Sequence, residues 1–202
     1  MNMQLRDTVE RILLCLFVGS LTWRIVASVM GGETSWVSAL ILIDEFLVLG
    51  FVIFGRRAKD VSTSWREWLL AFAGSAAPLL AQPGGEQLLP TVALAFLFII
   101  SIFAQLAAKL SLNRSFGIVP ANRGVVTKGL YSYVRHPVYA SYLLGHIAFW
   151  LTNPTLWNFA VYTVAMALQV FRMIAEEGVL SRDPEYAAYR QVVRYRLVPG
   201  VF

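Results

Sequence analysis

Six apolar segments, separated by breaks that hold most of the charge, constrain this chain more than any other feature. They cover residues 12–30, 36–54, 65–81, 88–112, 138–151 and 155–175. A helix needs ~20 apolar residues to cross a bilayer, with ~17 as a lower limit, so the short third and fifth segments could instead be re-entrant. Because 57% of the residues are apolar and only 14% are charged, lipid is the predicted solvent.

The basic residues assign sides to these segments. If all six cross, every Lys and Arg except Arg24 lies on one side, which the positive-inside rule makes the cytoplasm. If the third segment did not cross, the basic loop after the fourth would lie outside. We therefore predict an all-α polytopic fold with about six transmembrane helices and both termini cytoplasmic. In a prokaryote this places the protein in the cytoplasmic (inner) membrane, with the first segment retained as a span.

Charged residues inside the predicted spans need an explanation, because burying a charge in lipid is costly. Arg24, Asp44 and Glu45 lie in the first two segments. Three readings are open: a pair between Arg24 and one of the acids, a substrate or ion path, and snorkelling of Arg24 to the interface. His146, in the middle of the fifth segment, is predicted to be a hydrogen-bonded packing residue.

The last two predicted spans form a helical hairpin, and a further helix follows them. Asp183 as N-cap and Pro184 at the first position would begin that helix. Tyr186, Tyr189 and Val193 then share one face, which predicts an amphipathic helix at the membrane interface. The connection 113–136, before the hairpin, is long and basic, and such loops are uncommon unless they are functional.

The candidate site combines two sequence features, a helix N-terminus with cationic residues and a pair of adjacent acids. Pro137 favours the first turn of the fifth helix, so Arg135 and His136 lie at its N-terminus, where free N–H groups and the helix dipole favour an anion. A tight hairpin would return Glu176 and Glu177 to the same level. Such a site suits a small zwitterionic ligand. The alternative is that Arg135 contacts lipid headgroups and that the acids are ordinary interface residues.

Several function classes are disfavoured by the sequence. Two histidines and one cysteine give no metal-ligand cluster, and no GxGxxG or P-loop pattern is present. The net charge of +5 lies in the breaks between spans, which favours membrane lipids over nucleic acid as the partner. We therefore predict that the protein binds neither a metal ion nor nucleic acid.

Five motifs lie in order in the second half of the chain. They are Leu112-Asn-Arg-Ser-Phe-Gly-Ile-Val-Pro120, Val126-Thr-Lys-Gly-Leu-Tyr-Ser-Tyr-Val-Arg-His-Pro-Val-Tyr139, Glu176-Glu177, Tyr186-Ala-Ala-Tyr189 and Arg194-Tyr-Arg-Leu-Val-Pro199. These motifs resemble the isoprenylcysteine carboxyl methyltransferase family, which is similar to the membrane phospholipid methyltransferases. The resemblance implies one domain, 1–202, in which 1–111 is a variable helical scaffold and 112–202 is the cofactor-binding and catalytic region.

The resemblance implies that S-adenosylmethionine binds at the cytoplasmic face. The carboxylate of S-adenosylmethionine would suit a guanidinium, and the ammonium and ribose hydroxyls of the cofactor would suit an acidic side chain. The residues that the resemblance assigns to the cofactor pocket are Ile118, Val119, Gly129, Tyr131, Arg135, His136, Pro137, Tyr139, Glu176 and Glu177.

The resemblance predicts methyl transfer to a lipophilic or lipid-anchored acceptor, such as the carboxylate of an isoprenylcysteine. Arg194 and Arg196 are the candidates for holding an anionic group of the acceptor, and we predict Glu177 and Arg196 as catalytic residues. Two alternatives remain open. One is an NADPH-dependent reductase of the sterol-reductase type, whose 2′-phosphate would require a basic cluster. The other is a non-enzymatic membrane protein.

Overall fold

The structure is a computed structural model that describes residues 3–32 and 36–202, with side chains from 42 onward in the second range. The predicted loop residue Glu33 lies outside these residues. Within them the chain is mostly helical, as predicted, with a small two-stranded sheet that the sequence did not predict. The elements are α1 (Met3–Met30), α2 (Trp36–Phe54), β1 (Asp60–Val61), α3 (Trp65–Ala76), α4 (Thr91–Leu112), β2 (Ala121–Asn122), α5 (Pro137–Thr152), α6 (Leu156–Leu180) and α7 (Pro184–Val192).

Local sequence explains where the predicted helix ends were wrong. Helix α4 begins at Thr91 because Pro90, which cannot donate a hydrogen bond, takes the N-cap position. Helix α3 ends at Ala76 and continues as a 3₁₀ turn that contains Pro78. Helix α6 runs on to Leu180, so that the two predicted acids lie within its last turns.

The outer surface of the bundle is largely apolar, while charged residues such as Glu10 and Arg135 are buried within it. Large apolar side chains are more than half exposed along several helices, including Leu16, Trp23, Phe96, Phe103 and Phe171. Three of the described helices are long and apolar enough to cross a membrane: Met3–Met30, Thr91–Ser115 and Leu156–Leu180. These helices support an integral membrane protein, and the six-crossing topology stays a prediction.

The loops at one end of the bundle are joined to each other, and we call this end the loop end. The Arg56 amide donates to the Arg114 carbonyl (2.6 Å), which joins the C-termini of α2 and α4. Strands β1 and β2 pair antiparallel beside them. At the opposite end, the Gln82 amide donates to Asn158 Oδ1 (3.0 Å) and the Leu88 amide donates to the Leu151 carbonyl (2.9 Å).

The charges within the predicted spans pair differently from the expectation. Asp44 forms a buried ion pair with Lys109 of α4, while Arg24 is exposed. Lys109 lies within the predicted fourth segment, and its side chain is only 5% exposed within the bundle. His146 stacks on Tyr162 with ring centroids 4.6 Å apart, and its Nδ1 has no hydrogen-bond partner among the described residues, contrary to the prediction.

A buried ion cluster fastens the loop 113–136 to the start of α1. Glu10 is 1% exposed, and its Oε1 accepts hydrogen bonds from the amides of Ile118 and Val119, both at 3.1 Å. The Arg123 guanidinium contacts both Glu10 and Asp7. A Cβ at position 117 would collide with that guanidinium, so the loop needs glycine there. The first helix therefore shapes the loop before α5.

Helix α7 begins as the sequence predicts. Asp183 is its N-cap and accepts a hydrogen bond from the Glu185 amide (3.0 Å). Its other oxygen accepts from Asn122 Nδ2 (2.8 Å), which lowers the pKa of Asp183 and ties α7 to β2. The predicted face of α7 is buried, with Tyr186, Tyr189 and Val193 in one apolar cluster.

The substitution Glu10→Gln tests the fastening of the loop. It leaves the buried Arg123 guanidinium with Asp7 as its remaining carboxylate, and breaking a buried ion pair typically destabilises a protein by ~3–5 kcal/mol. We expect a clearly lower thermal unfolding temperature in detergent. Glu86→Gln, in an exposed loop, is the control and should leave that temperature unchanged. Equal unfolding temperatures for the two variants would contradict the structural role of Glu10.

Candidate functional site

Glu177 is the centre of a buried ion cluster at the loop end. Its side chain is 6% exposed. Oε1 accepts from Arg135 Nε (2.8 Å) and lies 3.1 Å from His136 Nε2. Oε2 accepts from Arg196 Nε (3.1 Å) and Nη2 (3.0 Å). One carboxylate thus joins α5, α6 and the segment that follows α7.

The start of α5 also holds the segment after α7 through the backbone. The amides of Arg135 and His136 donate to the carbonyls of Tyr195 and Arg196, both at 2.9 Å. Arg135 Nη1 donates to the carbonyls of Val193 (3.2 Å) and Arg194 (2.7 Å). The Nε and Nη1 groups of Arg135 therefore have protein acceptors, so this guanidinium organises the site.

Glu176 has a different environment from its neighbour, because adjacent residues point ~100° apart around a helix. Its Oε2 accepts a hydrogen bond from Tyr139 Oη at 2.9 Å. The Arg172 guanidinium lies 5.3 Å from the centre of the Tyr139 ring, and the His136 ring meets that ring edge-on at 5.5 Å. Glu176 therefore lines a pocket, while Glu177 lies in the ion cluster behind it.

This pocket, which we call the site pocket, has a volume of about 40 Å³. It opens into a basin of about 350 Å³, and the two share Leu112, Ser115, Val125 and Val126 as lining residues. Arg56, Arg114, Lys128 and Glu185 give the basin a net positive charge. The polar and aromatic residues of the site pocket are Arg123, Tyr131, Arg135, His136, Glu176, Tyr186 and Tyr189.

Three tyrosines of the site pocket stay neutral hydrogen-bonding groups at physiological pH. Burial raises the pKa of Tyr131 and Tyr186 well above the usual value, and it raises the pKa of Tyr189 to about 12. Tyr189 Oη donates to the Tyr131 carbonyl at 2.6 Å. The buried Tyr186 Oη has no hydrogen-bond partner within the described part of the chain. It is therefore a polar group that a bound ligand could satisfy.

The structure brings most of the predicted site residues together. Of the predicted cofactor-binding residues, Tyr131, Arg135, His136 and Glu176 line the site pocket. Tyr139 and Glu177 contact those residues from behind.

Other predicted residues lie elsewhere. The amides of Ile118 and Val119 are occupied by Glu10, and Ile118 lines a separate cavity within the helices. Gly129 has a positive φ of 64° and begins the 3₁₀ turn that carries Tyr131. The Arg194 side chain is exposed, and the Arg196 side chain is bound to Glu177.

The sequence reasoning missed the basin and its basic residues. From the sequence, Arg56, Arg114 and Lys128 are charges that mark the cytoplasmic side, and Arg114 and Lys128 also belong to the motifs of the family resemblance. Arg56 and Arg114 come together because the ends of α2 and α4 are hydrogen-bonded, and no sequence signal gives that pairing. Among residues 3–32 and 36–202, no cluster of His, Cys, Asp and Glu could hold a metal ion.

The comparison with known families agrees with this site. Residues 89–186 match the model of the phospholipid methyltransferase family. This region is therefore similar to that family of membrane methyltransferases, which is related to the isoprenylcysteine carboxyl methyltransferases, and the resemblance seen in the sequence is confirmed. The match begins before α4 and ends within α7, so it contains Arg135, Glu176 and Glu177. The chain matches no curated protein.

The two adjacent glutamates should differ in their effect on stability. Glu177→Gln leaves the buried Arg135 guanidinium and the partly exposed Arg196 guanidinium without a carboxylate. We expect a large fall in the thermal unfolding temperature, from a loss of ~3–5 kcal/mol for the buried pair. Glu176→Gln keeps an acceptor for Tyr139 Oη and should cost about 1 kcal/mol or less. Thermal unfolding of both variants in one detergent compares them. Equal losses would contradict the assignment of Glu177 as the centre of the ion cluster.

Proposed function

We propose that this protein is an S-adenosylmethionine-dependent methyltransferase that acts on a lipophilic or lipid-anchored acceptor at the cytoplasmic membrane face. The observation that carries the proposal is the site pocket of the family-matched region, where Arg135, His136 and Glu176 meet at the loop end. The apolar surface of the bundle lets an acceptor approach from the bilayer. The adjoining basin lets a polar cofactor approach from water.

The residues present fit this cofactor. Glu176 offers a carboxylate to its ammonium or ribose hydroxyls, and the unpartnered Tyr186 Oη offers a further hydrogen bond. The basic side chains of Arg56, Arg114 and Lys128 offer partners to its carboxylate. The basin volume lies in the range of small-molecule sites, ~300–1,000 Å³. When bound, S-adenosylmethionine supplies a methyl group that is already activated as part of a sulfonium.

The residues of this chain then bind and orient the cofactor and the acceptor, and they exclude water from the site. Glu177 holds Arg135 and Arg196 in place, and Arg135 in turn holds the segment after α7. We therefore assign Glu177 and Arg196 a positioning role in catalysis, with Glu176 as the acid that meets the cofactor. Arg194, whose guanidinium is exposed, remains the candidate for an anionic group of the acceptor or a lipid headgroup. Catalysis by positioning and desolvation needs no nucleophile–base pair.

One observation on the basin favours the alternative function, an NADPH-dependent reductase. Arg56, Arg114 and Lys128 form the kind of basic cluster that the 2′-phosphate of NADPH would require. The match of residues 89–186 to a methyltransferase family favours the first proposal. Direct titration with both ligands separates the two functions.

Calorimetric titration with S-adenosylhomocysteine, with NADPH in parallel, tests the proposal on purified protein in detergent. We expect micromolar binding of S-adenosylhomocysteine that Glu176→Gln weakens about tenfold, because the variant removes a charge-assisted hydrogen bond. Arg135→Ala should also lose binding, because the ion cluster that shapes the pocket is broken. Glu86→Gln, exposed and remote, is the matched control.

The outcomes separate the candidate functions. Binding of NADPH in place of S-adenosylhomocysteine would assign the protein to the reductases. Binding of neither ligand by a folded protein would favour a non-enzymatic role. Unchanged binding in a folded Arg135→Ala variant would refute the role of Arg135 in the pocket.

A further inference from the structure

A groove of about 350 Å³ lies between α1 and α2 on the outer surface of the bundle, and we call it the α1–α2 groove. Ile12, Leu16 and Ile53 on its wall are more than half exposed, while Val52 is buried. Cys15 completes the apolar lining. An open apolar groove on helices that face lipid is a surface that an acyl chain of the bilayer can cover.

Arg11 closes the groove at the loop end. Its Nε donates to Asp7 Oδ2 (3.0 Å), Nη1 donates to the Val52 carbonyl (2.9 Å) and Nη2 donates to the Arg56 carbonyl (2.5 Å). The last carbonyls of a helix lack partners within the helix, so this guanidinium caps α2 and fixes its end against α1. Because each of its three nitrogens already has an acceptor, Arg11 shapes the groove and leaves the binding of an anion to other residues.

Three exposed arginines lie at the same end of the groove, and we call them the basic rim: Arg56, Arg57 and Arg114. Arg56 and Arg57 follow directly after the end of α2. Arg114 Nε donates to the carbonyl of Phe54, the last residue of α2, at 2.8 Å. The Arg57 guanidinium has no hydrogen bond or ion pair with any residue that the structure describes. It is therefore available to an anion from outside the protein.

The acids of α1 near the groove do not neutralise the basic rim. Asp7 contacts Arg11 and Arg123, and Glu10 contacts Arg123, so these two carboxylates are matched by two other guanidinium groups. The charge of the basic rim is therefore left over and positive. It lies where the apolar sequence of α2 ends, which is the level that lipid headgroups occupy.

We propose that the α1–α2 groove binds an anionic phospholipid of the membrane, with an acyl chain along the groove and the headgroup phosphate at Arg57. The apolar wall and the positive rim match the two parts of such a lipid. A zwitterionic phospholipid fits the wall equally well, but the cation of its headgroup is repelled by the basic rim. The groove is lined by α1 and α2, outside residues 89–186, so its lipid is separate from the site pocket and from the proposed activity.

Photolabelling of the full chain in phosphatidylcholine nanodiscs tests this site without using activity. The probes are phosphatidylglycerol and phosphatidylcholine with identical acyl chains, each at low mole fraction and with a diazirine in the upper part of one chain. Peptide mass spectrometry measures labelling of residues 11–16 and 52–53, divided by labelling of Phe96 and Phe103, which are exposed on α4. We expect a ratio about fivefold higher for phosphatidylglycerol, the factor that one arginine near a lipid headgroup contributes.

Four variants separate the headgroup contact from the groove itself. Arg57→Gln should lower the phosphatidylglycerol ratio about fivefold, to the phosphatidylcholine value. Arg190→Gln, at an exposed position of α7, removes the same charge and is the matched control that should leave both ratios unchanged. Cys15→Phe fills the groove without changing its charge and should abolish labelling of the groove by both probes. If Cys15→Phe fails to fold, Ile12→Trp fills the groove from an exposed position.

The outcomes decide what covers the groove. A higher ratio for phosphatidylglycerol that is lost in Arg57→Gln and kept in Arg190→Gln supports the anionic lipid. Equal ratios for the two probes, or equal losses in Arg57→Gln and Arg190→Gln, overturn it. Groove labelling that persists in a folded filling variant also overturns it, because the lipid would then lie elsewhere. Absence of groove labelling together with crosslinks between the groove peptides of two chains would show that a second copy covers this face instead.

Discussion

The buried carboxylate of Glu177 is the interaction on which the rest of the site depends. A carboxylate and two guanidinium groups lose much hydration when they are buried, and their attraction compensates only when geometry and hydrogen bonds are good. Here both carboxylate oxygens accept hydrogen bonds, and Nε and Nη1 of Arg135 donate to Glu177 and to backbone carbonyls. The cluster therefore fixes the relative positions of the start of α5, α6 and the segment after α7, and with them Arg135, His136 and Glu176 in the wall of the site pocket.

The second ion cluster, around Glu10, joins the site to a part of the chain outside the family match. Glu10 and Asp7 lie on α1, while Arg123 and the amides they hold lie in the loop before α5. Because that loop also lines the site pocket, the first helix contributes to the shape of the pocket without supplying a lining residue to it. A helix outside the family match can in this way determine how the matched site is held.

Much of the site could be predicted from sequence because its signals are local. Pro137 places Arg135 and His136 at a helix start, and a short connection returns Glu176 and Glu177 to the same level, as the hydrogen bonds confirm. The start of α7 at Asp183 and Pro184 follows from local capping chemistry in the same way.

The features that could not be predicted depend on contacts between distant segments. The pairing of Lys109 with Asp44 joins residues 65 positions apart, and the bond from Ile118 to Glu10 joins residues 108 apart. From the sequence alone, a lysine near a helix end is expected to reach water. The position of its partner on α2 changes that outcome, and only tertiary packing reveals it.

The two charged regions of the bundle differ in the sign of their balance. Around Glu177, two guanidinium groups face one carboxylate, so the balance there is positive. Around Asp44, two carboxylates face one ammonium, so the balance is negative. An anionic group would therefore be attracted toward the first region and opposed in the second.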